Sequence, residues 1–412
     1  MKKGTSKLEF YNSKEWLEYT HKRYLTLEEI RHRIGEPTAD KHWRELKEEI
    51  QESRKLQAIP LNLKSINKLF WFFPADCINE KIKKIETRGM EIFDPIVKYF
   101  KFGEAFIQDS LDEEAITSAI YEGANSTRAQ AKQFIAENRK PKTRDEWMLI
   151  NTHNAMNWIK ENTTREIDIS LILKIHSIIT QNTMKGDDVN YIGKFRDDAV
   201  YIGPHEGIPF RLIEPSLNEV LKLFVEHPRY IHPLIKGILL HYFIGYIHPF
   251  FDGNGRTART LFYFKLIKNG LNFVELLSIS AQLKEHGRRY ERTFENAVIH
   301  DGDLTYFVDF CLDSMLEAIS RVETKINYLI KIDILRDKLN LTETQIMLLQ
   351  RMALNKFRGI SIEEYAADID RSREIARQEL KKLTELKLLT EKKQAKKFVY
   401  FVEANKLKSL IT

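Results

Sequence analysis

Between Gly237 and Arg259 the chain reads GILLHYFIGYIHPFFDGNGRTAR, and no other stretch constrains the fold as tightly. An apolar run suited to a buried helix ends at His248. Pro249 cannot continue it, because its ring removes a donor and clashes with the preceding turn. Phe250 and Phe251 can anchor the break in the core. Asp252-Gly253-Asn254-Gly255 does not comfortably continue a helix, and its two glycines let successive backbone N–H groups converge on one point. Helix is expected again from about Arg256, with Leu261, Phe262, Phe264, Leu266 and Ile267 on its apolar side. Helical patterns dominate elsewhere, without alternation of long strands and helices. The fold class is therefore mainly α, and a doubly wound sheet is excluded.

The chemistry of these residues is coherent. A glycine loop that opens a helix offers free N–H groups and the positive end of the helix dipole, and both favour a phosphate. Arg256 and Arg259 stand three apart, so their guanidinia project from one side of the first turn and can fork onto phosphate oxygens. Asp252 is a hard oxygen ligand of the kind that nucleotide-bound Mg²⁺ takes. His248 carries the side chain that is readily neutral and basic near pH 7. Base, metal ligand, phosphate cradle and arginine clamp suit phosphoryl or nucleotidyl transfer, where positioning and charge neutralisation do most of the catalysis. A GxxxxGK[ST] loop is absent from the sequence, which excludes the ordinary P-loop arrangement.

HPFFDGNGRTAR resembles, over its whole length, the Fic-family motif HxFx[DE]GNGRxxR. Members that keep all of it are usually AMP transferases, moving AMP from ATP to a Ser, Thr or Tyr hydroxyl of a protein. The resemblance implies that His248 takes the proton from the target hydroxyl. Asp252 would hold Mg²⁺ (or Mn²⁺), and the N–H groups of Gly253, Asn254 and Gly255 would form the anion hole, with the Asn254 side chain near the phosphates. Arg256 and Arg259 would hold the β- and γ-phosphates of ATP, and Phe250 would be the motif's buried aromatic. The stretch Tyr290–Asp303 resembles the family's base-binding helix and the turn after it.

GKFRDDAVYIGPHEGIPFRL, Gly193–Leu212, reads as a loop with a hairpin inside an otherwise helical region. It resembles the family's flap, which holds an extended segment of the target protein by strand addition. Gly193, Phe195, Arg196, Val200, Tyr201, Ile202 and Gly203 are its candidate residues. Upstream, TSAIYEGANST contains Ser118 and Glu122-Gly123 in the spacing of the inhibitory motif [ST]xxxE[GN]. In relatives this Glu pairs with the second motif arginine, here Arg259, and a carboxylate in that fork would displace the γ-phosphate. The same Glu122 could orient a water that removes AMP from a modified target. Ser126 and Thr127 are hydroxyls open to self-modification, and a homodimer is also left open.

The net charge of +6, from 65 Lys+Arg against 59 Asp+Glu, is unevenly spread. Residues 340–412 hold 15 basic and 10 acidic side chains, so most of the excess lies there. This tail reads as a helix near Thr342–Ala353, a helix capped by Ser361, a third from about Arg371 to Leu386, then strand, basic turn and strand. That order resembles a winged helix. Arg371, Arg373 and Arg377 on the third helix, and Lys392, Lys393, Lys396 and Lys397 on the hairpin, are candidate phosphate contacts to DNA. The expected domains are an N-terminal helical region over 1–105, a Fic catalytic domain over 106–332 that includes the inhibitory helix, and a winged helix over 335–412. Competing readings are transfer of another phosphate-containing group by the same scaffold, or a nucleotide-sensing DNA-binding regulator that is no enzyme. Cys77 and Cys311 cannot form a disulfide framework, the N-terminal sequence lacks a secretory pattern, and no apolar run is long enough for a membrane span. A cytoplasmic protein with no membrane partner is the expectation.

Overall fold

The computed structural model describes residues 13–34, 40–100, 103–137, 139–202, 205–354, 359–394 and 397–411. These residues are mainly helical, with short antiparallel sheets. The chain divides into two compact units, one of Met1–Arg88, Asn157–Asn272 and Gln282–Glu317, the other of Gly89–Met156, Phe273–Ala281 and Ala318–Thr412.

The first unit is built around the helices Pro233–Ile247 and Asn254–Lys268. Pro233 starts the former where no N–H is needed, and the His232 ring nitrogen accepts the Leu234 N–H at 3.2 Å. Leu239, Leu240, Tyr242, Phe243, Ile244 and Ile247 are all buried, so this helix is central rather than amphipathic. Gly237 permits its close approach to the second helix, since a Cβ there would lie 3.0 Å from Leu266 Cδ2. Tyr242 stacks on Phe294 at 5.0 Å and meets Phe307 edge-on at 5.2 Å. The Tyr290 hydroxyl is hydrogen-bonded with His241 Nε2 at 3.0 Å, which ties the helix Gly287–Ile299 to the same cluster.

One part of the N-terminal region is not helical. Ile59–Leu63 and Lys68–Phe72 pair antiparallel, with Ile59 opposite Phe72 and Leu63 opposite Lys68. Ile59, Leu61 and Leu63 alternate inward while Pro60 and Asn62 face out, a period-two pattern inside a stretch otherwise dominated by charged helical spacing. Asn67 makes the turn at a φ of 48°.

In the second unit the helix Gly103–Tyr121 carries buried polar groups that are fully engaged. Glu114 accepts from the Ser280 N–H at 2.9 Å, the Ser280 hydroxyl at 2.5 Å and the Ser278 hydroxyl at 3.1 Å. Asp109 lies between Lys132, at 2.6 Å, and Lys325. Burial alone would raise its pKa, but these two cations hold it below the usual carboxylate range.

The tail follows the expected order, with helices Glu343–Leu354, Ile362–Asp368 and Arg373–Glu385 and then strands Leu389–Gln394 and Lys397–Val402. Ser361 caps its helix through a reciprocal box with Glu364. Two further elements appear: strand Ile360–Ser361, paired with Lys397–Val402, and helix Ala404–Ile411. Both cysteines are buried and free. No described helix is long and apolar enough to cross a membrane.

Candidate active site

The helix Pro233–Ile247 ends because His248 turns left-handed, at φ 51° and ψ 62°. This conformation is costly for a residue with a Cβ and persists only where its surroundings impose it. Here the His248 N–H donates to Ile244 O at 3.0 Å, and its C=O accepts Arg196 Nε at 2.8 Å. His248 Nδ1 lies 3.2 Å from Gly245 O. A carbonyl only accepts, so Nδ1 carries the hydrogen there, and in the neutral ring Nε2 is the basic nitrogen.

Phe250 is fully buried, as expected of the motif's aromatic. Asn254 clamps it: Asn254 Nδ2 donates to Phe250 O at 2.7 Å, and Asn254 Oδ1 accepts the Phe250 N–H at 3.0 Å. The Asn254 side chain thus closes the loop over the Phe250 peptide. Helix begins at Asn254, two residues before the expected start, with Gly253 as its left-handed cap at φ 84°. A Cβ on Gly253 would meet Thr180 Cγ2 at 2.8 Å, so both the backbone angle and the space require glycine. Gly253 N–H donates to Asp252 Oδ1 at 2.6 Å. The first-turn N–H groups that lack an intrahelical acceptor therefore belong to Asn254, Gly255 and Arg256.

Arg256 and Arg259 are 0% and 3% exposed. Arg256 Nη1 donates to Ile179 O at 3.2 Å and Nη2 lies 3.3 Å from Asp252 Oδ1. Arg256 thus braces the carboxylate from behind. Buried guanidinia keep their charge and demand anionic or carbonyl partners, so the pair makes the floor of the loop electropositive. The Asp252 side chain is 34% exposed. No described residues form a ready-made cluster of three or more His, Cys, Asp or Glu ligands. A lone, partly exposed carboxylate beside an anion-favouring helix start fits Mg²⁺, which keeps waters and takes substrate phosphates for its other ligands.

Two residues behind the loop carry it. Arg196, a candidate flap residue, is only 2% exposed. It donates to three carbonyls, His248 O at 2.8 Å, Asp198 O at 2.6 Å and Ile208 O at 2.5 Å, while its own N–H reaches Pro249 O at 3.0 Å. His176, on the helix Ile169–Thr180, was not foreseen at all. It is fully buried and its ring stacks on Phe250 at 3.6 Å and 4°. Burial pushes its pKa down to about 4.

The flap segment holds the hairpin that the sequence suggested, Tyr201–Ile202 against His205–Glu206. Gly193 sits at φ 68° and Phe195 lies 5.8 Å from the Phe250 ring. Val200 O accepts the Gly207 N–H at 2.9 Å, and Tyr201 is 73% exposed. Gly203 lies outside the described residues.

In the second unit, Glu122 directly follows the helix Gly103–Tyr121 and is half-buried. Gly123 at φ 93° completes the stop, and Ala124 N–H donates to Ala119 O at 3.0 Å. Arg371, Arg373, Arg377, Lys392, Lys393 and Lys397 are exposed, and Lys396 lies outside the described residues. Glu379, on the same helix, is half-buried and accepts the Thr344 hydroxyl at 2.9 Å.

Over 222 residues the chain is 30% identical to Protein adenylyltransferase Fic of Drosophila yakuba, covering 49% of this chain and 40% of that relative. Protein adenylyltransferase Fic of Drosophila melanogaster is 30% identical over 223 residues, 49% of this chain and 41% of its own. The chain thus spans about two fifths of the length of the curated relatives it matches. A crystal structure of a Fic family protein from Desulfovibrio desulfuricans G20 is similar at a TM-score of 0.49 and 18% identity, over 78% of this chain and 95% of that one. Residues 166–266 match the Fic/DOC family, and they contain every element of the loop just described. The stretch over residues 166–266 is thus similar to the Fic/DOC family.

Proposed function

We propose that this chain transfers AMP from ATP to a Ser, Thr or Tyr hydroxyl of a protein. The observation that carries the reading is the His248 geometry: a strained, clamped backbone with Nδ1 turned to Gly245 O, six residues ahead of a helix start that favours phosphate. His248 Nε2 takes the hydroxyl proton as that oxygen bonds to the α-phosphorus. The bond from the α-phosphorus to the bridging oxygen breaks, and diphosphate leaves with the electron pair. First-turn N–H groups and the buried charges of Arg256 and Arg259 stabilise the phosphate charge without reorganising. Asp252 would hold Mg²⁺ or Mn²⁺, which would neutralise charge on the nucleotide. The flap would present the target by strand addition, so its backbone rather than a side-chain code would set acceptance.

Glu122 would act as an inhibitor by competing with the γ-phosphate for Arg259, a reading carried by the spacing of Ser118 and Glu122-Gly123 upstream of the loop. The tail would be a winged-helix module that binds DNA. Cations on the exposed side of the helix Arg373–Glu385 and on the hairpin, with Glu379 withdrawn, support it. Self-modification at Ser126 or Thr127 is read by mapping the adduct after incubation with ATP. Incubating the protein with ATP and Mg²⁺ and weighing modified proteins tests the reaction class. An AMP-sized adduct supports it, and a phosphate-sized adduct replaces it with phosphoryl transfer.

A further inference from the structure

His176 contacts the loop at two motif positions, Phe250 and Asp252, although it stands 76 residues from Asp252 in sequence. Its ring covers Phe250 face to face at 3.6 Å. Its Nε2 lies 3.0 Å from Asp252 O. Its ring edge would be 3.5 Å from a Cβ on Gly253. On the other side, the Gly193 N–H donates to His176 Nδ1 at 3.1 Å. Gly193 begins the flap segment and sits at φ 68°, where a Cβ would press on Ser177 Cβ at 3.0 Å.

These partners leave one protonation pattern. An N–H group can only donate, so Nδ1 must be bare. A carbonyl can only accept, so Nε2 must carry the hydrogen. The ring is therefore neutral and in a single tautomer, and each nitrogen serves a different segment. The Asp252 carbonyl belongs to the peptide whose N–H, on Gly253, donates to the Asp252 carboxylate at 2.6 Å. Fixing that peptide plane fixes the direction of the carboxylate. Arg256 then braces the same oxygen from the helix.

We propose that His176 is a positioning residue that sets the Asp252 carboxylate and the root of the flap from one ring, coupling metal–nucleotide binding to target binding. This rests on the adenylyl-transfer reading for its kinetic consequences, but not for its geometric ones. His176 touches neither hydroxyl nor phosphate. It acts through the Asp252 peptide on one side and the Gly193 peptide on the other. Outer partners of this type commonly change metal affinity or activity by roughly 10–100-fold when removed.

Three substitutions separate its arms in the full-length chain. His176→Phe keeps the stack on Phe250 and removes both hydrogen bonds. His176→Gln puts an amide donor near the Nε2 position and keeps the Asp252 arm. His176→Asn puts an oxygen acceptor near the Nδ1 position and keeps the Gly193 arm. Four quantities are read: melting temperature, ATP affinity with and without Mg²⁺, amide exchange at Gly193, and AMP transfer. The Phe variant should melt within a few degrees of the parent yet lose roughly 10–100-fold in Mg²⁺-dependent ATP affinity and in kcat. Gln should restore the Mg²⁺-dependent affinity while Gly193 exchange stays fast and target KM stays raised. Asn should protect Gly193 while affinity stays weak.

The proposal is overturned if the Phe variant binds Mg²⁺–ATP and protects Gly193 as the parent does. It is equally overturned if all three variants lose function only in proportion to their melting temperature. Should the parent transfer no AMP at all, the reaction class fails. Affinity and Gly193 exchange then still decide the role of His176.

Discussion

The loop His248–Arg259 and the cationic face of the tail are both rich in positive charge, yet they are built in opposite ways. Arg256 and Arg259 are buried, and Arg256 is held by a carbonyl and a carboxylate within its own unit. Arg371, Arg373, Arg377, Lys392, Lys393 and Lys397 lie exposed. A buried cation must be positioned in advance and acts at one point, whereas an exposed one is screened and acts through number. Loss of one group should therefore be severe in the loop and small and additive in the tail.

His248→Ala tests the severe end. AMP transfer should fall roughly 10²–10⁴-fold, with ATP affinity almost unchanged in a direct binding titration. Retention of full transfer would remove His248 as base. Glu122→Gly should raise transfer about tenfold or more, the size expected for freeing a guanidinium from a charge-assisted pair. Equal initial rates and equal ATP affinity in the two proteins would end the inhibitory reading.

The same contrast extends to glycines. Gly253→Ala should cost about 1–3 kcal/mol in urea unfolding, because the left-handed backbone and the Thr180 methyl both oppose a Cβ. Gly270 has a similar φ of 80° but nothing within 4 Å of its added Cβ, so its alanine variant should lose only about 1 kcal/mol. Comparable losses at both sites would show that loop packing adds nothing.

Acid should act through buried rings. Burial, and then the charge of Arg259, pushes His241 down to about 3. The folded ring stays neutral while the unfolded one binds a proton below about 6.5. Stability from this group is thus complete above that pH and falls as pH drops toward 3, by about 1.4 kcal/mol per unit. His241→Gln should flatten the acid limb of stability against pH, and an unchanged limb would show that other groups carry it. The smallest effect belongs to the tail. Replacing Lys392, Lys393 and Lys397 with Ala should lower the salt slope of duplex DNA binding by roughly one per lost phosphate contact, and leave AMP transfer unchanged. No DNA binding by the full chain at low salt would sink the nucleic-acid reading.

What the sequence could disclose followed from where each signal lay. His248, Asp252 and both arginines share one contiguous stretch, so residue type and spacing were enough to single them out as candidates. The tail's helix order was equally local, with Ser361 and Glu364 writing their own cap. His176 offered no such signal, because on an apolar helix it reads as one more core residue until the fold brings Asp252 to it. Arg196 was legible only as a member of the flap segment, and its three carbonyl partners show a clamp. The hairpin Ile59–Phe72 was hidden because its alternation is short and lies among charged helical stretches. Asn254 was legible as a loop residue, but its clamp on the Phe250 peptide was not, since a side-chain amide suits an anion and a peptide equally well.

The most direct test of the central claim uses ATP labelled at either the α- or the γ-phosphorus. The Glu122→Gly protein, with Mg²⁺ and a cell lysate, should place α-label on protein hydroxyls, release the γ-label as diphosphate, and lose both on His248→Ala. Stable γ-label on protein, or no protein label from either nucleotide, would contradict it.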